Sequence, residues 1–268
     1  MFYQFKTGLQ GVKSFYNENG FVVIKNVLDD NLIREARQHI DWLLKKHPGI
    51  RPEHLHHTLV ADDPFWVRFI SDPRLLDVAE QFIGNNIALF ASHYICKPPK
   101  DGQAVLWHQD GSYWPLKPMD VITLWIALDP SVPENGCLRV IPKTHFLDLQ
   151  KLQERTDIPN VLASGMDEKQ VDQAKAVNVI LDPGDVSIHH PNIIHGSKAN
   201  YSNHWRRGLT IRYIPTTTEV TENKWPCVML LRGDAVEEIN KYIPFPEYRV
   251  EDHMSFTGCE SWSPKKQK

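Results

Sequence analysis

From Ile87 to Ile214 the chain runs as short apolar segments, 87–97, 104–109, 121–128, 137–141, 177–180, 185–189, 193–197 and 207–214, separated by turn-forming pieces such as Lys100-Asp101-Gly102 and Pro133-Glu134-Asn135-Gly136. Runs this brief, bounded by Gly, Pro, Asn and Asp, read as strands rather than helices. About eight strands behind a helical N-terminal layer predict a mainly β fold with flanking α: a double-stranded β-helix (jelly roll, cupin-like) with N-terminal helices packed on one sheet. No internal repeat interrupts this pattern.

Before Ile87 the apolar period is helical. Leu9, Val12, Phe15 and Tyr16 predict a helix over 8–19 that stops at Asn19-Gly20, followed by a short strand, Phe21-Val22-Val23-Ile24. Asp29-Asp30 precedes an apolar stripe from Leu32 to Leu44 that finishes on Lys45-Lys46-His47, the charge order that suits a helix dipole. Two further helices are expected over 64–70 and 73–83. At 268 residues a jelly roll can run undivided, so one domain, 1–268, is expected: a support layer (1–86), the jelly-roll core (87–215) and a C-terminal extension (216–268) with a short strand near 227–231. Residues 252–268 are expected to be poorly ordered, with the basic run from Pro264 to Lys268 a solvated tail.

A formal charge of -3 with mixed signs argues against a nucleic-acid partner. Four separated cysteines without a Cys-x-x-Cys pair suggest neither a zinc knuckle nor a disulfide framework, and fit reduced thiols in a cytosol. No window has the length of a membrane span, and neither a secretory signal nor a Ser-Lys-Leu ending is visible. The expected setting is cytoplasmic, with no membrane partner, as a monomer or small homo-oligomer.

Within the strands, Trp107-His108-Gln109-Asp110 places a His and an Asp two residues apart, so on extended backbone both project from one face. With 13 His and 33 acidic residues such spacings also arise by chance, as surface pairs or capped turns. A third ligand is supplied by His195, which follows Ile193-Ile194 and precedes Gly196. Two His and one carboxylate form the facial set of non-haem Fe(II) oxygenases. Eleven residues on, Arg206 sits before the strand-like 207–214. A metal at one end and a guanidinium fork at the other could bracket a small dicarboxylate such as 2-oxoglutarate.

The runs Lys97-Pro98-Pro99, His108-Gln109-Asp110, Trp125-Ile126-Ala127, Glu134-Asn135-Gly136-Cys137-Leu138, Ile141-Pro142-Lys143-Thr144-His145, and His195-Gly196-Ser197 through Asn200 to Arg206 occur in one order over roughly residues 90 to 214. Together they resemble the phytanoyl-CoA dioxygenase (PhyH) family of Fe(II)/2-oxoglutarate-dependent oxygenases. The resemblance implies Fe(II), 2-oxoglutarate and O2 as cofactor and co-substrates. It implies an oxidation of an aliphatic C–H bond coupled to release of succinate and CO2. His108, Asp110 and His195 would be metal ligands and catalytic residues. Arg206 would take the distal carboxylate of 2-oxoglutarate with a hydroxyl from Ser197, and Trp125, His93 and Gln109 would be further cofactor contacts. His93 stands where some relatives carry Met. Relatives that halogenate have a small residue in place of the carboxylate, so Asp110 favours hydroxylation.

Other candidates receive plainer readings. His54, His56 and His57 could be a second metal cluster, but no carboxylate or cysteine supports them, and a surface cluster or a lid near the site mouth is the alternative. His189, His190 and His145 are not expected as ligands, because Pro191-Asn192 interrupts regular extension and His145 resembles a structural turn. Arg207 points to the opposite strand face as a structural or surface residue. The polar segment from about 146 to 176 is either a substrate lid or a solvent-facing insertion. The expected substrate is a small molecule, a specialised metabolite in a biosynthetic pathway; the alternatives are a fatty acyl-CoA hydroxylase, a non-oxygenase metal cupin that has no need of Arg206, or a silent binding protein.

Overall fold

The protein is described by a computed structural model, which covers residues 2–263; the basic tail from Pro264 to Lys268 lies outside the described residues. Among the described residues four α-helices form: α1 (Val12–Asn19), α2 (Asp30–Lys46), α3 (Pro64–Ile70) and α4 (Pro73–Ile83). The strands begin with β1 (Phe2–Gln4), β2 (Phe21–Lys25), β3 (Ile87–Tyr94), β4 (Val105–His108) and β5 (Leu116–Lys117). They continue with β6 (Ile122–Ala127), β7 (Leu138–Val140), β8 (Gln153–Glu154), β9 (Ser164–Gly165) and β10 (Val177–Val179). The last are β11 (Val186–His189), β12 (His195–Ser197), β13 (Gly208–Pro215), β14 (Glu219–Val220) and β15 (Met229–Arg232).

A large sheet has the order β1-β2-β11-β6-β13-β3-β15 and faces a smaller one ordered β10-β7-β12-β4. All eight expected core strands form, trimmed by one to three residues at most ends. The expected jelly roll with helices on one sheet is therefore the observed fold. β1, three residues long and too short to give a strand signal, pairs in parallel with β2.

The period-two alternation assigns each side chain to a face. Ile122, Leu124 and Ile126 of β6, Val186 and Ile188 of β11, and Leu209, Ile211 and Tyr213 of β13 join the core beneath the helices. The intervening residues, Thr123, Trp125, Ser187, His189, Thr210 and Arg212, turn toward the smaller sheet. Register fixes which of them meet, because His189 lies opposite Thr123 and Trp125 opposite Thr210. Burial of apolar surface thus secures one face, and the opposite face keeps polar groups.

The helical layer is capped and pinned. Asp29 accepts from the backbone N–H of Asn31 and Leu32, and α2 buries Leu32, Ile33, Ala36, His39, Ile40 and Leu43. Asp63 caps α3 through the Trp66 N–H at 2.8 Å and also pairs with the buried His39 Nε2 at 2.8 Å. Burial pushes the Asp63 carboxyl up, but His39 and the Trp66 N–H outweigh it, so it titrates below its usual value of 3.8. A depressed folded pKa gives stability that is present above the unfolded pKa and lost as pH falls. Asp63→Ala should therefore lose about 2–4 kcal/mol at neutral pH, from a cap and an orphaned buried partner. Thermal unfolding should show the wild-type advantage at pH 7 and its shrinkage below pH 3.8.

The C-terminal stretch departs from expectation. Phe256 and Cys259 join the main core and Trp262 packs against it, so 252–263 is fixed by apolar burial rather than loose. The 146–176 segment also folds down. β8 and β9 pair, and Met166 and Val171 cover Trp107, Ile141 and Ile194, the outward-facing neighbours of the small-sheet residues at the site.

Candidate active site

Between the two sheets lies a cavity lined by Val105, His108, Asp110, Trp125, Leu138, Leu162, His189, His195, Ser197, Arg206 and Arg212, among others. His108 and His195 are registered partners on adjacent antiparallel strands, β4 and β12. Asp110 is not on a strand as expected: β4 ends at His108, and Asp110 opens a 3-10 turn after extended Gln109. Because Gln109 remains extended, the shared projection of His108 and Asp110 survives.

The three side chains each offer a ligand atom within 4.8 Å of the others. His108 donates its Nδ1–H to the Leu106 carbonyl at 2.7 Å, and His195 donates its own to the Ile193 carbonyl at 3.0 Å. Those two bonds fix the tautomers, leaving both Nε2 lone pairs beside Asp110, at 3.4 and 4.0 Å from Oδ1. Burial pushes the His195 imidazole well below its usual range, so it is neutral and able to coordinate. The two inward nitrogens and the Asp110 carboxylate converge on one point of the cavity. The donor set fits a divalent iron with open positions.

Burial pushes the Asp110 carboxyl up, but Arg212, with His108, His189 and His195, overcomes this and holds it well below the usual carboxylate range. Arg212 Nη2 stands 3.8 Å and His189 Nε2 3.7 Å from Asp110 Oδ2. Sequence reasoning assigned neither to the site. Arg212 carried a legible signal, since it shares strand parity with Arg206. His189 is brought in by pairing of β11 with β6, a long-range event that local spacing does not encode.

Arg206 is 2 % exposed, and its Nε and Nη2 have no hydrogen-bond partner among the described residues. A buried guanidinium with idle donors is costly unless a ligand completes it. Its backbone is clamped by reciprocal bonds with Lys97, both 3.0 Å, and its side chain lies 5.1 Å over the Trp125 ring. Desolvation lowers its pKa to about 10, still charged at neutral pH. Ser197 Oγ accepts from Lys97 Nζ at 2.7 Å, which leaves the Ser197 hydroxyl proton free for the cavity. Arg207 instead forms a two-point pair with Asp129 on the opposite face, at 2.8 and 3.1 Å, the structural role expected of it.

Gly208 permits the Trp125 stack, since a Cβ there would lie 2.3 Å from Trp125 Cζ2. Gly208→Ala should push the ring against Arg206 and cost about 1–3 kcal/mol of stability. Its 2-oxoglutarate affinity should fall roughly tenfold, about 1.4 kcal/mol. Thermal unfolding and cofactor titration of the purified variant check both.

The sequence profile of the phytanoyl-CoA dioxygenase (PhyH) family matches residues 16–208. The chain belongs to this family. Its reaction class is that of Fe(II)/2-oxoglutarate-dependent dioxygenases. The chain is 26% identical over 277 residues to peroxisomal phytanoyl-CoA dioxygenase of Bos taurus, covering 92% of this chain and 80% of the relative. It is 31% identical over 147 residues to a probable alpha-ketoglutarate-dependent hypophosphite dioxygenase of Stutzerimonas stutzeri, covering 54% and 51% of the two. Among solved structures, the apo non-heme monooxygenase ThoJ superposes with a TM-score of 0.76 at 21% identity, covering 88% of each chain, which speaks to the fold alone.

Two expected contacts of this PhyH-family chain fall outside the cavity. Gln109 turns away from its neighbours His108 and Asp110: its amide donates to the Asn192 carbonyl at 2.8 Å and accepts from the Gln150 N–H at 2.7 Å, tying down the 146–176 segment. His93 sits behind Arg212, whose Nη1 donates to its Nδ1 at 2.8 Å. His56 and His57 join His93 rather than forming a set with His54. His145 bonds the Asn17 carbonyl at 3.0 Å, a structural tie as expected. No described helix is long and apolar enough to cross a membrane.

Proposed function

We propose that His108, Asp110 and His195 hold the Fe(II) ion, that Arg206 with the Ser197 hydroxyl takes the distal carboxylate of 2-oxoglutarate over Trp125, and that the oxidised substrate is a small molecule bearing an aliphatic C–H bond. One observation carries this reading: two histidines and a carboxylate share one cavity with a buried guanidinium whose donors are idle. Bound iron with 2-oxoglutarate supplies the oxidising power, with succinate and CO2 as co-products. The chain's residues do the rest. Backbone carbonyls at Leu106 and Ile193 hold the two imidazoles in the coordinating tautomer. Arg206 orients the co-substrate along the cavity by a charge-assisted fork. Leu162, with Met166 and Val171 anchoring its segment, narrows solvent access.

The charge of the covering segment favours a small metabolite over an acyl-CoA. The covering segment 146–176 carries six acidic and four basic residues, not the basic cluster that the phosphates of CoA would need. We also read the chain as one catalytic domain.

The test is anaerobic addition of Fe(II) and then 2-oxoglutarate to metal-free protein, following the visible charge-transfer absorption of the chelate. Absorption that requires both additions upholds the proposal. A folded, iron-loaded protein that stays colourless with 2-oxoglutarate would sink it and favour another metal chemistry on the same scaffold.

A further inference from the structure

Across the ligand cluster from Arg206, the same strand face presents a second buried guanidinium. Arg212 is 8% exposed, lines the cavity, and has an Nε without a partner among the described residues. Its Nη1 donates to Thr210 Oγ1 at 2.6 Å and to His93 Nδ1 at 2.8 Å, and its nearest carboxylate oxygen, on Asp110, is 3.8 Å away. Behind it, His56, His57 and His93 each bring a ring nitrogen within 4.8 Å of the others, and His57 stacks on Trp225 at 5.0 Å. The Nδ1 of His57 is buried and unpartnered among the described residues.

Three histidines at that spacing suggest a second metal, but the hydrogen bonding opposes it. A guanidinium only donates, so His93 Nδ1 must accept, and the neutral ring then carries its proton on Nε2. Neither nitrogen has a lone pair left for a cation, and the adjacent Arg212 charge would repel one. Burial and the Arg212 charge both drive His93 well below its usual pKa, so the neutral ring stands. With His93 committed to Arg212, the cluster backs a fixed positive charge rather than holding a cation.

Charge balance supplies a second argument, which rests on the cofactor assignment proposed above. The two charges of Fe(II) and the one on Arg206 are matched by Asp110 and a dianionic 2-oxoglutarate. Arg212 is left over, buried where an unmatched charge is expensive.

We propose that Arg212, held from behind by His93, is a subsite for an anionic group of the substrate, a carboxylate or a phosphonate. The 3.8 Å between Arg212 and Asp110 then sets the reaction position: an acid held there brings its nearest carbons beside the ligand cluster. The C–H bond oxidised lies a few bonds from the acid group.

The experiment uses the anaerobic Fe(II)- and 2-oxoglutarate-loaded protein and follows the shift of its visible absorption on adding butyrate or propylphosphonate, each beside a neutral counterpart, butyramide or diethyl propylphosphonate. The acids should shift the band and the neutral compounds should not. Response to butyrate alone assigns a carboxylate and response to propylphosphonate alone a phosphonate, and either upholds the subsite. Arg212→Gln should need at least tenfold more acid to shift its own starting band. His57→Phe, which keeps a ring on Trp225 and lies outside the cavity lining, should leave both the acid response and the band unchanged. Acids that leave the wild-type band unmoved, neutral compounds that shift it equally, or an undiminished acid response in Arg212→Gln each overturn the proposal. A wild-type protein that forms no band before any acid is added fails the cofactor reading instead, so the two failures are distinct.

Discussion

Arg206→Met will leave the cofactor-free protein at least as stable as wild type while weakening 2-oxoglutarate binding by about 2–5 kcal/mol, roughly 30- to 4,000-fold. Both halves follow from one fact: the guanidinium is 2 % exposed with two unpartnered nitrogens. Without its ligand it contributes desolvation cost and little compensating interaction, and a Met of similar length removes that cost while keeping contact with Trp125. With its ligand, the same burial makes the paired charge strong, because water does not compete. Thermal unfolding without cofactor and chelate titration with it read the two halves separately. A large loss of stability in the cofactor-free variant would show that Arg206 is a structural cation, and undiminished 2-oxoglutarate affinity would remove it from the cofactor site.

Asp110→Ala should abolish coupled oxidation and lower iron affinity beyond the roughly 10–100-fold that loss of an outer partner costs a metal site. The carboxylate is the anion of the proposed ligand set and also the nearest one to Arg212, His108, His189 and His195. Its removal leaves Arg212 buried without a counter-charge, so the metal-free protein should also lose about 3–5 kcal/mol. Asp110→Asn, which keeps shape but not charge, should fall between the two in stability and remain inactive. Iron binding by equilibrium dialysis and succinate formation are the measurements. An Asp110→Ala protein that binds iron as tightly as wild type would place the metal elsewhere.

Legibility of the site varied with the range of the contact that builds it. His108 and Asp110 were readable because two residues of extended chain put them on one face, and this held although Asp110 lies past the strand end. Arg206, Ser197 and Trp125 came from ordered motifs and line the same cavity. Gln109 and His93 were grouped with them by motif alone. Strand parity turns Gln109 away, and Arg212 stands between His93 and Asp110. The polar character of 146–176 suggested a lid or a loose insertion, because its few apolar anchors, Met166 and Val171, are too sparse to form a pattern.

The amino-acid sequence by itself determined the alternation of the strands, the amphipathic helices with their caps, and therefore a two-sheet sandwich with a helical layer on one side. These depend on period and neighbouring residues, which are local. Only the tertiary structure decided that His189 and Arg212 enter the cavity, that Arg206 is buried with idle donors, and that His93 sits behind Arg212. Each of those depends on register between strands distant in sequence and on what remains unpaired once the sheets close. Burial changes the energetic meaning of a charge, and burial is a property of the assembled fold.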